Sequence, residues 1–309
     1  MLATKLFRPR PRSNLVPRPR LIERCAAALA APLTLIAAPA GSGKTTLLSS
    51  WLSQIDAQGG RSAWLALDAS DNDPVTFLRY LVAAIQTFAP NAGSSTLALL
   101  RTPLPPPPVL LAPLINDLAS LNIDCVLVLD DYHLAGAAEI SAMISFLLEH
   151  FPPRLHLVIS SREDPPLPLA RMRARRELLE IRAGSLRFTS DEAAVLLGDV
   201  TGNTVSAAQV AAVEAQTEGW AAGLQLAGLA LSNHADPARL LAGFSGNHRY
   251  LIDYLALEVL DGLPAHLRSF LLHTAILDRM CGPLCDAVLG VGGTDAASTA
   301  DSHSQVLLN

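Results

Sequence analysis

The segment that most constrains this chain is Ala38-Pro39-Ala40-Gly41-Ser42-Gly43-Lys44-Thr45-Thr46. A phosphate chain is held by backbone N–H groups pointing inward, and only glycine lets the backbone bend so close to the oxygens. Gly41 and Gly43 supply that freedom. The preceding run, Leu33-Thr34-Leu35-Ile36-Ala37-Ala38, has the length and apolarity of a buried parallel strand, and residues 44–54 read as a helix. Strand, glycine-rich turn and helix N-terminus, whose dipole favours anions, make a phosphate site of the P-loop kind. Pro39, Ala40, Gly41, Ser42, Gly43, Lys44, Thr45 and Thr46 form its cradle. Lys44 is placed for the β- and γ-phosphates of a nucleotide and the Thr45 hydroxyl for Mg²⁺. The strict pattern G-x-x-x-x-G-K-[ST] has glycine where this chain has Ala38, a residue small enough to continue the strand.

Two further strand ends carry polar groups. Val126-Leu127-Val128-Leu129-Asp130-Asp131 is an apolar strand that delivers carboxylates to the sheet's C-terminal edge, where open α/β sheets bind ligands. Asp130 is a ligand for Mg²⁺, directly or through water, and Asp131 a group to position the attacking water. Leu157-Val158-Ile159-Ser160-Ser161-Arg162 brings an arginine to the same edge, where it can sense or stabilise the γ-phosphate. His133, just beyond the acidic pair, reads first as a packed histidine. Arg171, Arg173, Arg175 and Arg176, diluted by Glu177 and Glu180, read as a solvated face.

The remaining pattern fits an α/β fold with a parallel sheet covered by helices on both faces. An arm of twenty residues, punctuated by Pro9, Pro11, Pro17 and Pro19, leads into a short helix over 19–31. Strands are expected at 62–67, 125–129 and 155–160, with a short one near Ile181; helices are expected at 74–88, 110–121 and 139–149. The proline run 103–108 reads as a surface connection. Past Leu186 the chain is almost wholly helical, with Thr189 and Glu192 spaced for a capping box and apolar periodicity over 211–231 and 250–260. The resulting division is 1–185, 186–245 and 246–309.

Composition supports this reading. Half of the 309 residues are hydrophobic and 17% are charged, enough for a large core. The longest apolar runs fall short of the roughly 20 residues that cross a bilayer, so no membrane span is expected. The basic N-terminus lacks the apolar core of a signal peptide, so the chain is read as cytoplasmic. Net charge is −5, which offers little to a nucleic-acid backbone. Cys25, Cys125, Cys281 and Cys285 lack the spacing of a zinc site.

With these elements in order, the chain resembles the signal-transducing STAND ATPases, and in particular the N-terminal ATPase module of MalT-like, LuxR-type transcription regulators. The residues behind the resemblance include Lys5-Leu6, Val16-Pro17-Arg18, the phosphate loop and Trp64-Leu65-Ala66-Leu67-Asp68 with Asp71-Asn72-Asp73-Pro74. They continue with Val128-Leu129-Asp130-Asp131-Tyr132-His133, Ser160-Ser161-Arg162, Leu186-Arg187-Phe188-Thr189, Thr217-Glu218-Gly219-Trp220-Ala221-Ala222-Gly223-Leu224 and the segment 254–260. The resemblance implies a helical lid and a small winged-helix domain after the nucleotide-binding domain. It places Val16 and Arg18 near the adenine, and Gly219-Trp220 in the lid facing the nucleotide. It implies a closed ADP form, and an ATP form that self-associates when inducer binds a C-terminal region outside this chain. DNA would be read by a C-terminal helix-turn-helix, also outside it. The expected function is an ATP/ADP switch with slow hydrolysis. Two rivals are an ADP-bound scaffold that does not turn over and a DNA-stimulated P-loop ATPase.

Overall fold

A computed structural model describes residues 1–10, 15–100, 103–232, 263–277, 280–290 and 304. The helical pattern expected at 250–260, the motif at 254–260 and residues 291–303 of the tail lie outside the described residues. The chain divides into two compact units, Met1–Phe244 and Ser245–Asn309.

The first unit is built on five parallel strands, β1 (Leu33–Ala37), β2 (Arg61–Ala66), β3 (Cys125–Asp130), β4 (Leu155–Ser161) and β5 (Leu178–Arg182), in the order β2-β3-β4-β1-β5. The three central strands, β3, β4 and β1, are buried at every position because both of their faces are covered. Alternate side chains feed two cores, as the two-residue strand period requires. Leu33, Leu35, Leu127, Leu129, Leu157 and Ile159 pack into one. The helices α3 (Pro74–Gln86), α4 (Ser94–Ala98), α5 (Pro107–Ala119), α6 (Ala138–Glu149) and α7 (Leu169–Arg175) belong to that layer. Ile36, Val126, Val128 and Val158 point the other way, onto α1 (Pro19–Ala27) and α2 (Lys44–Ala57).

The proline run is more than a connection. Pro107 and Pro108 form the first turn of α5, where a missing N–H has no intrahelical partner to lose. The first helix also stops at Ala27 and continues as a single 3₁₀ turn. Lys5, buried in the arm, pairs with Asp71 at 2.7 Å and Asp68 at 2.8 Å, which joins two segments 66 positions apart.

Beyond β5 and the short α8 (Ala183–Leu186) come α9 (Ser190–Thr201), α10 (Ala207–Thr217) and α11 (Ala221–Ser232), which share a small core of Leu197, Val213, Leu224 and Ala227. The capping box at the start of α9 is present: Thr189 accepts from the Glu192 N–H, and the Glu192 carboxylate accepts from the Thr189 N–H. The periodic stretch 211–231 is two helices, separated where Glu218 and Gly219 take left-handed φ values of 50° and 75°. The second unit includes α12 (Ala265–Thr274) and α13 (Gly282–Leu289). No helix among the described residues is long and apolar enough to cross a membrane.

His156 sits in β4 with 4% of its surface exposed, its Nε2 3.0 Å from the Thr34 hydroxyl of β1 and its ring edge-on to Trp51. Burial pushes its pKa from 6.5 down to about 4. The unfolded chain therefore binds a proton that the fold refuses between those values, and stability is complete above pH 6.5 and falls toward pH 4. The slope from this one group is about 1.4 kcal/mol per pH unit. Urea unfolding at pH 7 and pH 5 is expected to differ by about 2 kcal/mol. In His156→Gln, which keeps a polar group for Thr34, that difference shrinks; an unchanged pH dependence overturns the assignment.

Candidate functional site

The sheet assembles the site through register. Parallel pairing sets Ala37 beside Ser161 and Leu129 beside Ile159, so β1, β4 and β3 finish side by side. The phosphate loop, Arg162 and Asp130 thereby share one edge. Gly41 and Gly43 have φ values of 69° and 83°, the left-handed conformation in which a side chain is strained. Ala38 has no positive φ; its N–H donates to the Ser161 carbonyl at 3.2 Å and continues the β1–β4 ladder. Glycine is not needed there, which accounts for the departure from the strict motif.

Lys44 is buried, and its Nζ donates to the Ala38 carbonyl at 2.7 Å and the Pro39 carbonyl at 3.1 Å. Desolvation pulls its pKa down; the charges of Asp131 and Asp130 oppose this, while that of Arg162 adds to it. These four residues are therefore electrically coupled at the mouth of the loop. The Thr45 hydroxyl donates to Asp130 Oδ2 at 2.8 Å. Asp130 is 3% exposed, and its Oδ1 is buried with no hydrogen-bond partner. Desolvation raises its pKa and the neighbouring Asp131 charge adds to this, against the opposing pull of the Ser160 and Thr45 hydroxyls. A buried carboxylate oxygen without a donor is costly, and a hard divalent cation is the kind of ligand that offsets it. The Thr45 and Asp130 oxygens fit such an ion. Among the described residues no cluster of three or more His, Cys, Asp or Glu side chains offers another metal site.

Asp131 has φ 56° and ψ 41°, a left-handed conformation that costs a non-glycine residue about 1 kcal/mol and is concentrated at functional turns. Arg162 is exposed at the end of β4. His133 is half-buried. Desolvation lowers its pKa, against the charge of Asp131, with Arg162 and Lys44 also near enough to act on it.

Beside the loop lies a cavity of about 640 Å³, within the range of small-molecule sites. Its walls come from the arm (Val16, Arg18), from α1 (Ile22), from α2 and the residue before it (Gly43, Thr45, Thr46, Ser50), and from the helical region (Phe188, Leu196, Ala221). Val16 and Arg18 thus line a space that opens onto the phosphate loop. The Arg18 guanidinium, however, is engaged with protein. It donates to Glu192 at 3.1 Å and to the Leu186 and Arg187 carbonyls at 2.8 Å each, and it stacks 4.1 Å from the Phe188 ring. Arg20 grips the same carboxylate at 3.0 Å. Sequence reading recognised Glu192 only as a helix cap; its second role depends on residues 172 and 174 positions away. Two residues of the arginine cluster are tied up as well, Arg171 on Glu149 and Arg173 on Glu180 and Asp164.

The model of the MalT winged helix domain family matches residues 256–307. Serine/threonine-protein kinase PknK of Mycobacterium tuberculosis is 35% identical over 308 residues, 99% of this chain and 28% of that protein. HTH-type transcriptional regulator MalT of Vibrio cholerae is 32% identical over 292 residues, 94% of this chain and 32% of that protein. The chain therefore spans about a third or less of the length of these curated relatives. Among solved structures, the Walker-type ATPase PABY2304 of Pyrococcus abyssi superposes with a TM-score of 0.61 at 15% identity, covering 98% of this chain and 91% of that one, a likeness of fold.

Glu192 gives the cavity wall its test. Its half-buried carboxyl is pushed up by desolvation, yet hydrogen bonding to Arg20 and the Thr189 N–H, with the Arg18 charge, hold its pKa below 4.5. Its contribution is present above pH 4.5 and fades as pH falls through the lowered value. Glu192→Ala leaves Arg18, 10% exposed, with carbonyls alone and removes half of a capping box. The expected cost is about 2 to 3 kcal/mol at pH 7, read by denaturant unfolding, with faster hydrogen exchange across residues 186–192. A change under about 0.5 kcal/mol would mean that the arm is held by other contacts.

Proposed function

Because this chain is a MalT-like STAND P-loop ATPase module, we propose that it is an adenine-nucleotide switch that hydrolyses ATP slowly and reports its nucleotide state to output regions outside this chain. The observation that carries the reading is the Thr45–Asp130 pair at 2.8 Å, with the orphaned Asp130 Oδ1 beside it and Lys44 resting on two loop carbonyls. A buried lysine, a hydroxyl and a desolvated carboxylate at one mouth match the charge pattern of a nucleotide's phosphates and their cation.

The backbone N–H groups of 40–46 hold the phosphates, and Lys44 leaves its two carbonyls for the β- and γ-oxygens. Thr45 and Asp130 hold Mg²⁺, which when bound neutralises phosphate charge. Asp131, fixed in its left-handed turn, orients the water that attacks the γ-phosphorus, and Arg162 stabilises the charge that develops. The base lies in the 640 Å³ cavity against Val16 and Phe188. Arg18 shapes that wall through Glu192 and Phe188 rather than by reading the base. The functional division is 1–185 for nucleotide, 186–245 for the lid and 246–309 for the winged-helix region. Self-association of the ATP form, inducer sensing and DNA reading belong to this proposal, the last two through regions outside this chain. The named relatives are a kinase and a transcription regulator, so the module serves more than one kind of output.

The test begins with the nucleotide. Purified protein is denatured and the released compound identified by chromatography, with Lys44→Ala alongside. Stoichiometric ADP from the wild type and none from the variant is the expected result. Absence of bound adenine nucleotide, together with no binding of added ATP or ADP, sinks the reading. Asp130→Asn, a neutral isostere in a desolvated site, is expected to stay folded and lose at least about 100-fold in hydrolysis, with Mg²⁺ no longer tightening nucleotide binding. Wild-type protein that holds ADP and never turns over ATP supports the scaffold reading in place of the switch.

A further inference from the structure

A phosphate loop keeps its N–H groups turned inward, so its carbonyls turn outward and need donors of their own. Four consecutive carbonyls of this loop are satisfied in two pairs. Ala38 and Pro39 accept from Lys44. Ala40 accepts from the indole Nε1 of Trp220 at 3.0 Å, and Gly41 accepts from the backbone N–H of Ala222 at 3.0 Å. The second pair of donors lies 180 positions further along the chain, at the start of α11.

The turn that presents Trp220 is built for that placement. Gly219 has φ 75°, and a Cβ there would lie 2.7 Å from the Phe188 carbonyl oxygen. The Phe188 N–H donates to the Gly219 carbonyl at 2.8 Å, so the cavity wall and the turn are one strap. The indole rests over Gly223, where a Cβ would come within 2.9 Å of the ring. Gly219 thus lets the turn close against Phe188, and Gly223 leaves room for the indole.

We infer that Trp220 is a positioning residue of the phosphate loop: its indole N–H, with the Ala222 amide, holds the loop's outer carbonyls, so that the lid and the phosphate-binding geometry move as one. The inference rests on the nucleotide reading above and adds the route by which the lid senses phosphates. When phosphates draw Lys44 inward, the Ala38 and Pro39 carbonyls lose their donor, and the lid's two bonds remain to keep the N–H groups aimed. Opening the lid removes those bonds and loosens the grip on phosphate. Base contacts, which involve the arm and Phe188, do not pass through Trp220.

The experiment compares wild-type protein with Trp220→Phe, which keeps a ring over Gly223 and deletes the donor, and with Gly223→Ala, which keeps the donor and displaces the ring. Release of a fluorescent N-methylanthraniloyl-ADP is followed after a chase of ADP. Adenosine, which has a base and no phosphate, is measured as a competitor. Hydrogen exchange is read over residues 219–224. Both variants are expected to release the ADP probe roughly fivefold faster, the scale of one neutral hydrogen bond. Adenosine affinity should stay within about twofold of wild type, and exchange at Ala222 should accelerate. Equal weakening of adenosine and ADP marks a general structural loss and overturns the inference. So does unchanged ADP release in Trp220→Phe. A wild-type protein that binds no probe overturns the nucleotide reading itself, and is told apart because the variants are then never compared.

Discussion

The parallel pairing of β1 with β4, and of β4 with β3, is the constraint on which the site depends. Each strand is buried on both faces, so a one-residue slip would carry Leu33 and Leu35, or Leu157 and Ile159, from one core into the other. The same register that satisfies the two cores sets the phosphate loop, Asp130 and Arg162 at one edge. Packing thereby fixes chemistry: the carboxylate cannot leave the Thr45 hydroxyl without moving a strand through a close-packed interior.

Much of this was legible in the residues. Five strand positions, the loop glycines and the cap at Thr189 follow from local patterns, because burial on both faces, left-handed φ and orphan N–H groups each leave a mark within a few residues. The division of 211–231 into two helices was harder to see. Both halves are apolar at helical spacing, and the break depends on Glu218, an ordinary helix former, taking φ 50° to close a turn over Phe188. α4 and the start of α5 inside the prolines were not visible for a similar reason: tertiary packing decides them more than propensity does. Nor could local pattern reveal that Arg18 and Arg20 share Glu192, or that Trp220 reaches Ala40, since these pairs join distant segments.

The charged groups sort into two kinds. Lys5 with Asp71, which are buried, and Arg18 with Glu192, which are half-buried, are pairs of opposite sign that close long loops and fasten the N-terminal arm to the body. Lys44, Asp130 and Asp131 are different. Lys44 leans on carbonyls, and Asp130 keeps a buried oxygen, Oδ1, without a hydrogen-bond partner among the described residues. The fold tolerates that imbalance at the sheet edge and nowhere else so concentrated among the described residues, which is the pattern of a site shaped for a charged guest.

The cavity has a consequence for the chain's birth. Its walls are drawn from residues 9–10, 15–22, 43–54 and 188–225, so no early portion of the polypeptide contains it. A nascent chain that has just completed the phosphate loop must wait for about 180 more residues before Trp220 reaches Ala40. At ribosomal speeds of roughly 5 to 20 residues per second, that delay is on the order of ten to forty seconds. During it the arm's Arg18 has no Glu192 and the loop's outer carbonyls have only water. Closing of the cavity is therefore a late step of biogenesis, and the helices beyond Phe188 arrive as the final wall of a container whose floor was laid first.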